Sequence, residues 1–187
     1  MLTDESRLQD FPALADMAYL NTAAESIPPV SVHEALAQYA QDKGLGMRGR
    51  VPHNETMESC REVAARMMGL LTREVSFCSC SSEAYNLLAN ALHLGTDDEV
   101  VITDLDFPAG ATPWLNAAEP PTTHLWCARD GALDANDLPA LLNEHTRLVQ
   151  VSLVSFFNGH RIDWAPFIAV VREHAPQAIV AVDITQA

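Results

Sequence analysis

The amino-acid sequence predicts an α/β protein with a largely parallel sheet covered by helices. From residue 74 onward, short apolar segments alternate with amphipathic ones, which is the order that a parallel sheet with crossover helices produces. The apolar segments at residues 100–102 and 179–182 contain no polar residue, as expected for strands that are buried on both faces. A length of 187 residues is enough for one domain with a sizeable core and a short arm.

The first 29 residues are expected to form an irregular arm, and residues 30–187 the domain itself. Ser31 and Glu34 have the spacing of a capping box, in which each side chain accepts a hydrogen bond from the backbone of the other. A helix is therefore predicted to begin there. Two glycines that follow Lys43 are expected to end this helix.

A loop is predicted at residues 48–53, and a second helix after it. Between Met57 and Leu71, apolar residues recur at three- and four-residue steps, which places them on one face of a helix. The residues on this face are expected to be buried in the hydrophobic core.

Strands and helices are predicted to alternate through the rest of the chain. Ligands of such sheets bind at the carboxyl ends of the strands, so the residues just after each strand are the candidates for chemistry. The predicted strands are 74–78, 99–104, 123–127, 147–152 and 178–183, and the predicted helices are 82–92, 109–117, 136–142 and 164–174.

Composition excludes several classes of protein. The net charge of −14 would repel a phosphate backbone, so nucleic-acid binding is not expected. No apolar stretch approaches the roughly 20 residues that cross a membrane, and the acidic N-terminus does not resemble a secretory signal, so a cytoplasmic location is expected. The four cysteines lack the spacing of a zinc site, and no metal site is predicted.

Three positions after predicted strands have side chains suited to an anion and a planar ring. Ser81 and Ser82 open a helix whose free N–H groups can bind phosphate, although a serine there is more often an N-cap. Phe107, stiffened by Pro108, can lie flat on a planar cofactor or can be a core aromatic. Asp183 ends a buried strand and needs a positive partner, such as a protonated ring nitrogen, unless it caps the following segment.

Five segments, in this order, resemble the class V aminotransferase family of pyridoxal-phosphate (PLP) enzymes. This family includes cysteine desulfurases, kynureninases and isopenicillin N epimerase-like proteins. The resemblance covers nearly the whole chain and implies the N-terminal portion of the large domain of a fold type I PLP-dependent transferase. The segments are residues 19–24, 81–87, 106–108, 151–160 and the Asp-x-x-Gln-Ala motif at 183–187.

The resemblance assigns a role in cofactor binding to five residues. Asp183 would pair with the pyridine nitrogen and keep it protonated, and Gln186 would hydrogen-bond the phenolic oxygen of the ring. Phe107 would stack on the ring, while Ser81 and Ser82 would hold the phosphate together with nearby N–H groups.

The opening segment, with Asn21, Thr22 and Ala23, is expected to contribute to the substrate end of the site. Two departures from the family pattern are present. Cys80 and two serines replace the glycine and threonines that are usual in the phosphate turn. Phe107 stands where desulfurases typically stack a histidine, which favours the kynureninase-like and epimerase-like branches.

The Schiff-base lysine of this family lies downstream of the Asp-x-x-Gln-Ala motif. The chain stops at Ala187, within that motif, and its only lysine is Lys43. The resemblance therefore implies a truncated enzyme portion with no catalytic residue of its own, inactive alone. The parent enzyme is expected to be a homodimer that acts on a small amino acid by transamination, elimination or racemisation.

The alternative is a non-catalytic binding or assembly domain that keeps the PLP-transferase fold. A nucleotide-binding α/β domain has less support, because the sequence contains no glycine-rich phosphate loop.

Overall fold

The computed structural model describes residues 3–116 and 118–187. The chain divides into two compact units, one up to Phe77 and one from Cys78 to Ala187. The predicted limit of the N-terminal arm at residue 29 stays a prediction. Within the described ranges, no helix combines the length and the apolar character that crossing a bilayer requires.

The first unit is helical. The predicted irregular arm contains a helix that Thr3 and Ser6 cap reciprocally, so that part of the prediction was wrong. The helices are α1 (Asp4–Asp10), α2 (Val30–Gly44) and α3 (Arg50–Met68), with 3-10 turns at Pro12–Leu14, Gly46–Gly49 and Thr72–Glu74.

The capping box predicted for Ser31 and Glu34 does not form, because the N-cap of α2 lies two residues before Ser31. Pro29 occupies the N-cap position in an extended conformation, and no side chain in the described part of the chain caps the helix. The loop predicted at 48–53 was also wrong, since α3 begins at Arg50. The tight turn before it depends on Gly49, where a Cβ atom would overlap the backbone carbonyl of Asp42.

The apolar face predicted for α3 is mostly exposed in the first unit. Ala65 is buried, whereas the exposed fractions of Met57 and Met67 are 48% and 82%. The strand predicted at residues 74–78 is not formed. Within this range the carbonyl of Val75 accepts a hydrogen bond from a side chain instead, from Nε of Arg61 at 3.0 Å.

The second unit confirms the predicted fold class. Its four strands are all parallel, in the order β2-β1-β3-β4. The elements are α4 (Ser81–Leu92), β1 (Glu99–Thr103), α5 (Pro108–Leu115), β2 (Thr122–Trp126), β3 (Thr146–Ser152), α6 (Trp164–His174) and β4 (Ile179–Asp183).

Two predicted helices of the second unit differ in detail. The helix predicted at 136–142 is a 3-10 helix, Ala135–Ala140, which contains Pro139. Proline supplies no backbone N–H, which disfavours a longer α-helix there. The helix predicted at 109–117 ends at Leu115, and its predicted last residue lies outside the described residues.

The sheet separates two apolar clusters, one on each face. On one face, Val100, Ile102 and Leu148 pack with Trp114 of α5 and with residues of α4. On the other face, alternate strand residues pack with α6 and the 3-10 helix; the buried members include Val101, Val149, Val151, Leu138, Phe167 and Val171. Burial on both faces accounts for the nearly continuous apolar character of β1 and β3. The prediction that residues 179–182 are also buried on both faces was wrong, because β4 is the outermost strand and its residues are exposed or half-buried.

Candidate functional site

The carboxyl ends of the strands bring several predicted site residues to one edge of the sheet. Because the strands are parallel, the residues that follow β1, β3 and β4 all lie at this edge. Asp106 and Phe107 follow β1, Ser152 ends β3 and Asp183 ends β4. The edge therefore carries the predicted ring-binding residues.

Asp183 is half-buried, and each of its two carboxylate oxygens accepts one hydrogen bond. The Tyr85 hydroxyl of α4 donates to Oδ2 at 3.2 Å, and the backbone N–H of Thr185 donates to Oδ1 at 2.8 Å. Behind the tyrosine, Nε2 of Gln150 donates to the Tyr85 oxygen at 3.0 Å. These bonds fix the plane of the carboxylate at the end of β4.

Tyr85 keeps its proton under ordinary conditions. Burial, and after it the negative charge of Asp183, raises the pKa of the Tyr85 phenol above its usual range. The residue is thus a hydrogen-bond donor toward Asp183 rather than a competing anion.

Asp106 is a second carboxyl group at this edge, and it is 9% exposed. The backbone N–H of Thr103 donates to its Oδ2 at 3.3 Å, and its Oδ1 has no hydrogen-bond partner among the described residues. Burial, together with the smaller effect of the negative charge of Asp183, raises the pKa of Asp106 to about 6 against the opposing effect of Ser152 and Thr103. Asp106 is therefore costly to ionise.

Phe107 presents an aromatic ring beside these carboxyl groups. It contacts Phe156 edge to face, with ring centroids 5.1 Å apart, and is 47% exposed. The turn carrying Phe156 is anchored by the buried hydroxyl of Ser155, which donates to the carbonyl of Leu105 at 3.0 Å. One ring edge is thus packed while about half of the side chain remains accessible.

Ser81 and Ser82 form the first turn of α4, and neither is its N-cap. The N-cap residue is Cys80, and no side chain caps α4 within the described ranges. The backbone N–H of Glu83, followed by the Ser79 hydroxyl, lowers the pKa of the Cys80 thiol. The helix start thus favours negative charge, as uncapped helix N-termini do.

Glu83, in the first turn of α4, contacts the residue that precedes the N-cap. Its carboxylate accepts the backbone N–H of Ser79 at 2.6 Å, and hydrogen bonding from Ser79 lowers the pKa of Glu83. Its charge is thus held by the turn that precedes α4.

One further predicted residue of the second unit is not joined to this cluster by a described contact. Gln186 is half-buried in the turn after β4. Asn21, Thr22 and Ala23 lie in an exposed turn of the first unit. The binding roles of all eight predicted residues stay predictions; the eight are Asn21, Thr22, Ala23, Ser81, Ser82, Phe107, Asp183 and Gln186.

Two residues of the cluster, Tyr85 and Gln150, were not predicted from the sequence. Tyr85 follows Ser81 by four residues, so the helical period places both on one face of α4. Gln150 is the one polar residue in a run of four residues, 148–151, that are otherwise apolar, and it is fully buried. A buried amide in such a strand signals a hydrogen-bond partner.

The comparisons with known proteins agree with the fold. A cysteine desulfurase of Pectobacterium carotovorum is 35% identical over 164 residues, which cover 78% of this chain and 40% of that protein. A cysteine desulfurase of Pectobacterium atrosepticum is 32% identical, over 95% of this chain and 47% of that protein. The chain thus spans about half the length of the curated relatives that it matches. The preference for kynureninase-like and epimerase-like branches gains no support from these relatives.

Solved structures of similar fold cover nearly all of this chain. A C-DES mutant with glycine covalently linked to its PLP cofactor has a TM-score of 0.85 at 22% identity, covering 96% of this chain and 50% of that one. An apo cysteine desulfurase of Thermococcus onnurineus has a TM-score of 0.80 at 24% identity, covering 98% and 48%. The family model named aminotransferase class-V matches residues 18–187, and the chain belongs to that family.

Proposed function

We propose that this chain is the PLP-binding part of a class V aminotransferase-like enzyme. The observation that carries the proposal is the carboxylate of Asp183, which ends the outermost parallel strand, β4, and is oriented by two donors where ligands of such sheets bind. Membership of the family and the PLP group in a protein of similar fold support the choice of cofactor.

The residues at this edge fit three chemically different parts of PLP. A protonated pyridine nitrogen would give Asp183 the positive partner that a half-buried carboxylate requires. The accessible ring of Phe107 suits the flat face of the cofactor, and the uncapped start of α4 at Ser81 and Ser82 suits its phosphate. Gln186 is proposed to hydrogen-bond the phenolic oxygen.

PLP, when bound, supplies an electron sink for negative charge on the α-carbon of an amino acid. The chain's own residues bind and orient. Asp183 would hold a proton at the ring nitrogen, Phe107 would keep water from one face of the ring, and the N–H groups of α4 would hold the phosphate. We propose a small amino acid as substrate, with cysteine as the first to test, because the relatives are cysteine desulfurases. Transamination, elimination and racemisation are the proposed reaction classes, and a homodimer is the proposed assembly.

The test of cofactor binding is a PLP titration by equilibrium dialysis, with Asp183→Ala compared with the unaltered chain. We expect saturable binding, and we expect the substitution to weaken it by about tenfold to a hundredfold, since it removes a hydrogen bond between charged groups. Asp97→Ala is the matched control, because Asp97 is exposed and precedes β1 at the opposite edge of the sheet. Equal affinities for all three proteins would contradict the proposal.

A second prediction concerns the single lysine, Lys43, which lies in the last turn of α2. We expect the 187-residue polypeptide to bind PLP without a covalent bond and to show no turnover of amino acids by itself, because the family uses a lysine downstream of the Asp-x-x-Gln-Ala motif. PLP should therefore be lost on dialysis even after borohydride treatment, equally in the unaltered chain and in Lys43→Arg. A stable adduct that Lys43→Arg abolishes would contradict this prediction.

The presence of a single lysine in this sequence also favours the alternative function, a non-catalytic binding or assembly domain. If PLP binding does not saturate and Asp183→Ala does not change it, the assembly role is supported instead.

A further inference from the structure

The Tyr85 hydroxyl connects the carboxylate of Asp183 with the buried interior of the sheet. These two residues are 98 positions apart in the sequence, and α4 brings the hydroxyl to Oδ2 at 3.2 Å. Ser81, four residues earlier, lies about 6 Å along the same helix axis. One helix therefore places both the proposed phosphate site and a partner of the proposed pyridine site.

The direction of the hydrogen bonds follows from the number of protons. An ionised Asp183 can only accept, so the single phenolic proton of Tyr85 is donated to it. The Tyr85 oxygen is then left as an acceptor, and Gln150 must present its Nε2 group, as the 3.0 Å contact shows. The network thus fixes the orientation of the amide, which a hydrogen-bond pattern can decide.

This orientation leaves the other end of Gln150 without a partner. Its Oε1 atom is buried and has no hydrogen bond among the described residues. An unpaired buried carbonyl destabilises a fold, and an apolar side chain of similar volume would avoid that cost. Packing alone does not account for a glutamine at this position; donation to Tyr85 does.

The backbone of α5 holds the pair from the other side. A Cβ atom at Gly110 would lie 3.1 Å from Nε2 of Gln150 and 3.5 Å from Cζ of Tyr85. The absence of a side chain at Gly110 lets α5 approach both residues closely, which restricts their rotamers. The hydroxyl that reaches Asp183 is therefore held in one place.

We propose that Tyr85, supported by Gln150, is a positioning residue that orients the carboxylate of Asp183 toward the pyridine nitrogen of the cofactor. This inference rests on the proposed function. Tyr85 donates a hydrogen bond to Oδ2 of Asp183, and the backbone N–H of Thr185 donates one to Oδ1. The remaining lone pairs of the carboxylate therefore point in a fixed direction. Asp106 is the other carboxyl group whose charge acts on Tyr85, and it remains unchanged in the variants below.

The test is Tyr85→Phe, which removes only the hydroxyl. Three quantities are measured: PLP affinity by equilibrium dialysis, the protonation of the pyridine nitrogen by nitrogen NMR of labelled PLP across pH, and the phosphate signal by phosphorus NMR. We expect affinity to fall about tenfold and the pH midpoint of the pyridine nitrogen to move down by about one unit, with an unchanged phosphate signal. Tyr39→Phe, in the first unit, is the matched control and should change none of the three.

The variant Gln150→Leu distinguishes an effect on the position of Tyr85 from an effect on the stability of the fold. It should move PLP affinity and the pyridine midpoint in the same direction as Tyr85→Phe, while thermal stability stays equal or rises, because the unpaired carbonyl is removed.

The outcomes distinguish the two proposals. If Asp183→Ala weakens PLP binding while Tyr85→Phe and Gln150→Leu leave affinity and midpoint unchanged, the positioning role is wrong and the proposed function stands. Lower thermal stability without a shift of the midpoint would show a structural tyrosine and also overturn the inference. If the unaltered chain binds no PLP, both proposals are wrong.

Discussion

Asp106→Asn is expected to raise the free energy of unfolding by about 2–3 kcal/mol at pH values above about 6. The reason is the buried carboxyl group, whose pKa is raised from 3.8 to about 6 in the folded protein. A carboxyl group with a raised pKa binds its proton more tightly in the folded than in the unfolded state. The stability that Asp106 contributes to the unaltered protein is therefore lost as pH rises from about 4 to about 6, and it stays lost above that.

The measurement is a series of thermal unfolding curves from about pH 4 to about pH 8, with the difference between variant and unaltered protein plotted against pH. The difference should be small at the acidic end and should grow to several degrees at the basic end, about 2–8 °C for each kcal/mol. Asp104→Asn is the matched control, since that neighbour is exposed and its side chain can still accept the N–H of Ala128. A difference that does not change with pH would contradict the assignment of the raised pKa to Asp106.

Phe167→Ala is expected to destabilise the second unit by about 3–5 kcal/mol, the range for removing a buried aromatic ring. Phe167 is fully buried and stacks on Trp126, with ring centroids 5.8 Å apart and planes 5° from parallel. The ring of Trp164 is tilted against that of Phe167, with the two centroids 5.4 Å apart. The substitution leaves a cavity between α6 and the sheet that neither tryptophan can fill without leaving its rotamer.

Urea unfolding followed by tryptophan fluorescence measures this loss, because two tryptophans border the cavity. Phe157→Ala is the control: the side chain is 76% exposed, and its removal should change the free energy of unfolding by less than about 0.5 kcal/mol. Similar midpoints for the two variants would show that the ring of Phe167 contributes little to the core.

The second unit was largely predictable because its elements are defined by local pattern. The helix predicted at 164–174 has the observed bounds, and the four observed strands differ from the predicted ones by at most one residue at each end. The first unit was less predictable because single side chains override local pattern there. Arg61 donates to the carbonyl of Val75, in the segment where a strand was expected. Pro29 occupies the N-cap position that was assigned to Ser31.

The candidate site was predicted in part. Serines at a helix start, an aromatic after a strand and a carboxylate at a strand end each have a local signature, so Ser81, Phe107 and Asp183 could be proposed from sequence. Their supporting residues have no such signature. The contact of Tyr85 with Asp183 spans 98 positions, and only the folded sheet shows that the two side chains meet.

The strand order β2-β1-β3-β4 has a consequence for how this protein can change. After β1 the chain crosses one face of the sheet through α5, and after β2 it returns over the opposite face through the 3-10 helix, so the connections change face where β1 and β3 adjoin, which is where ligands of such sheets bind. The position of this point is set by the strand order and does not depend on the side chains that border it. Phe107 and Asp106, which follow β1, belong to neither apolar cluster, so they can be exchanged while the two clusters continue to specify the same fold.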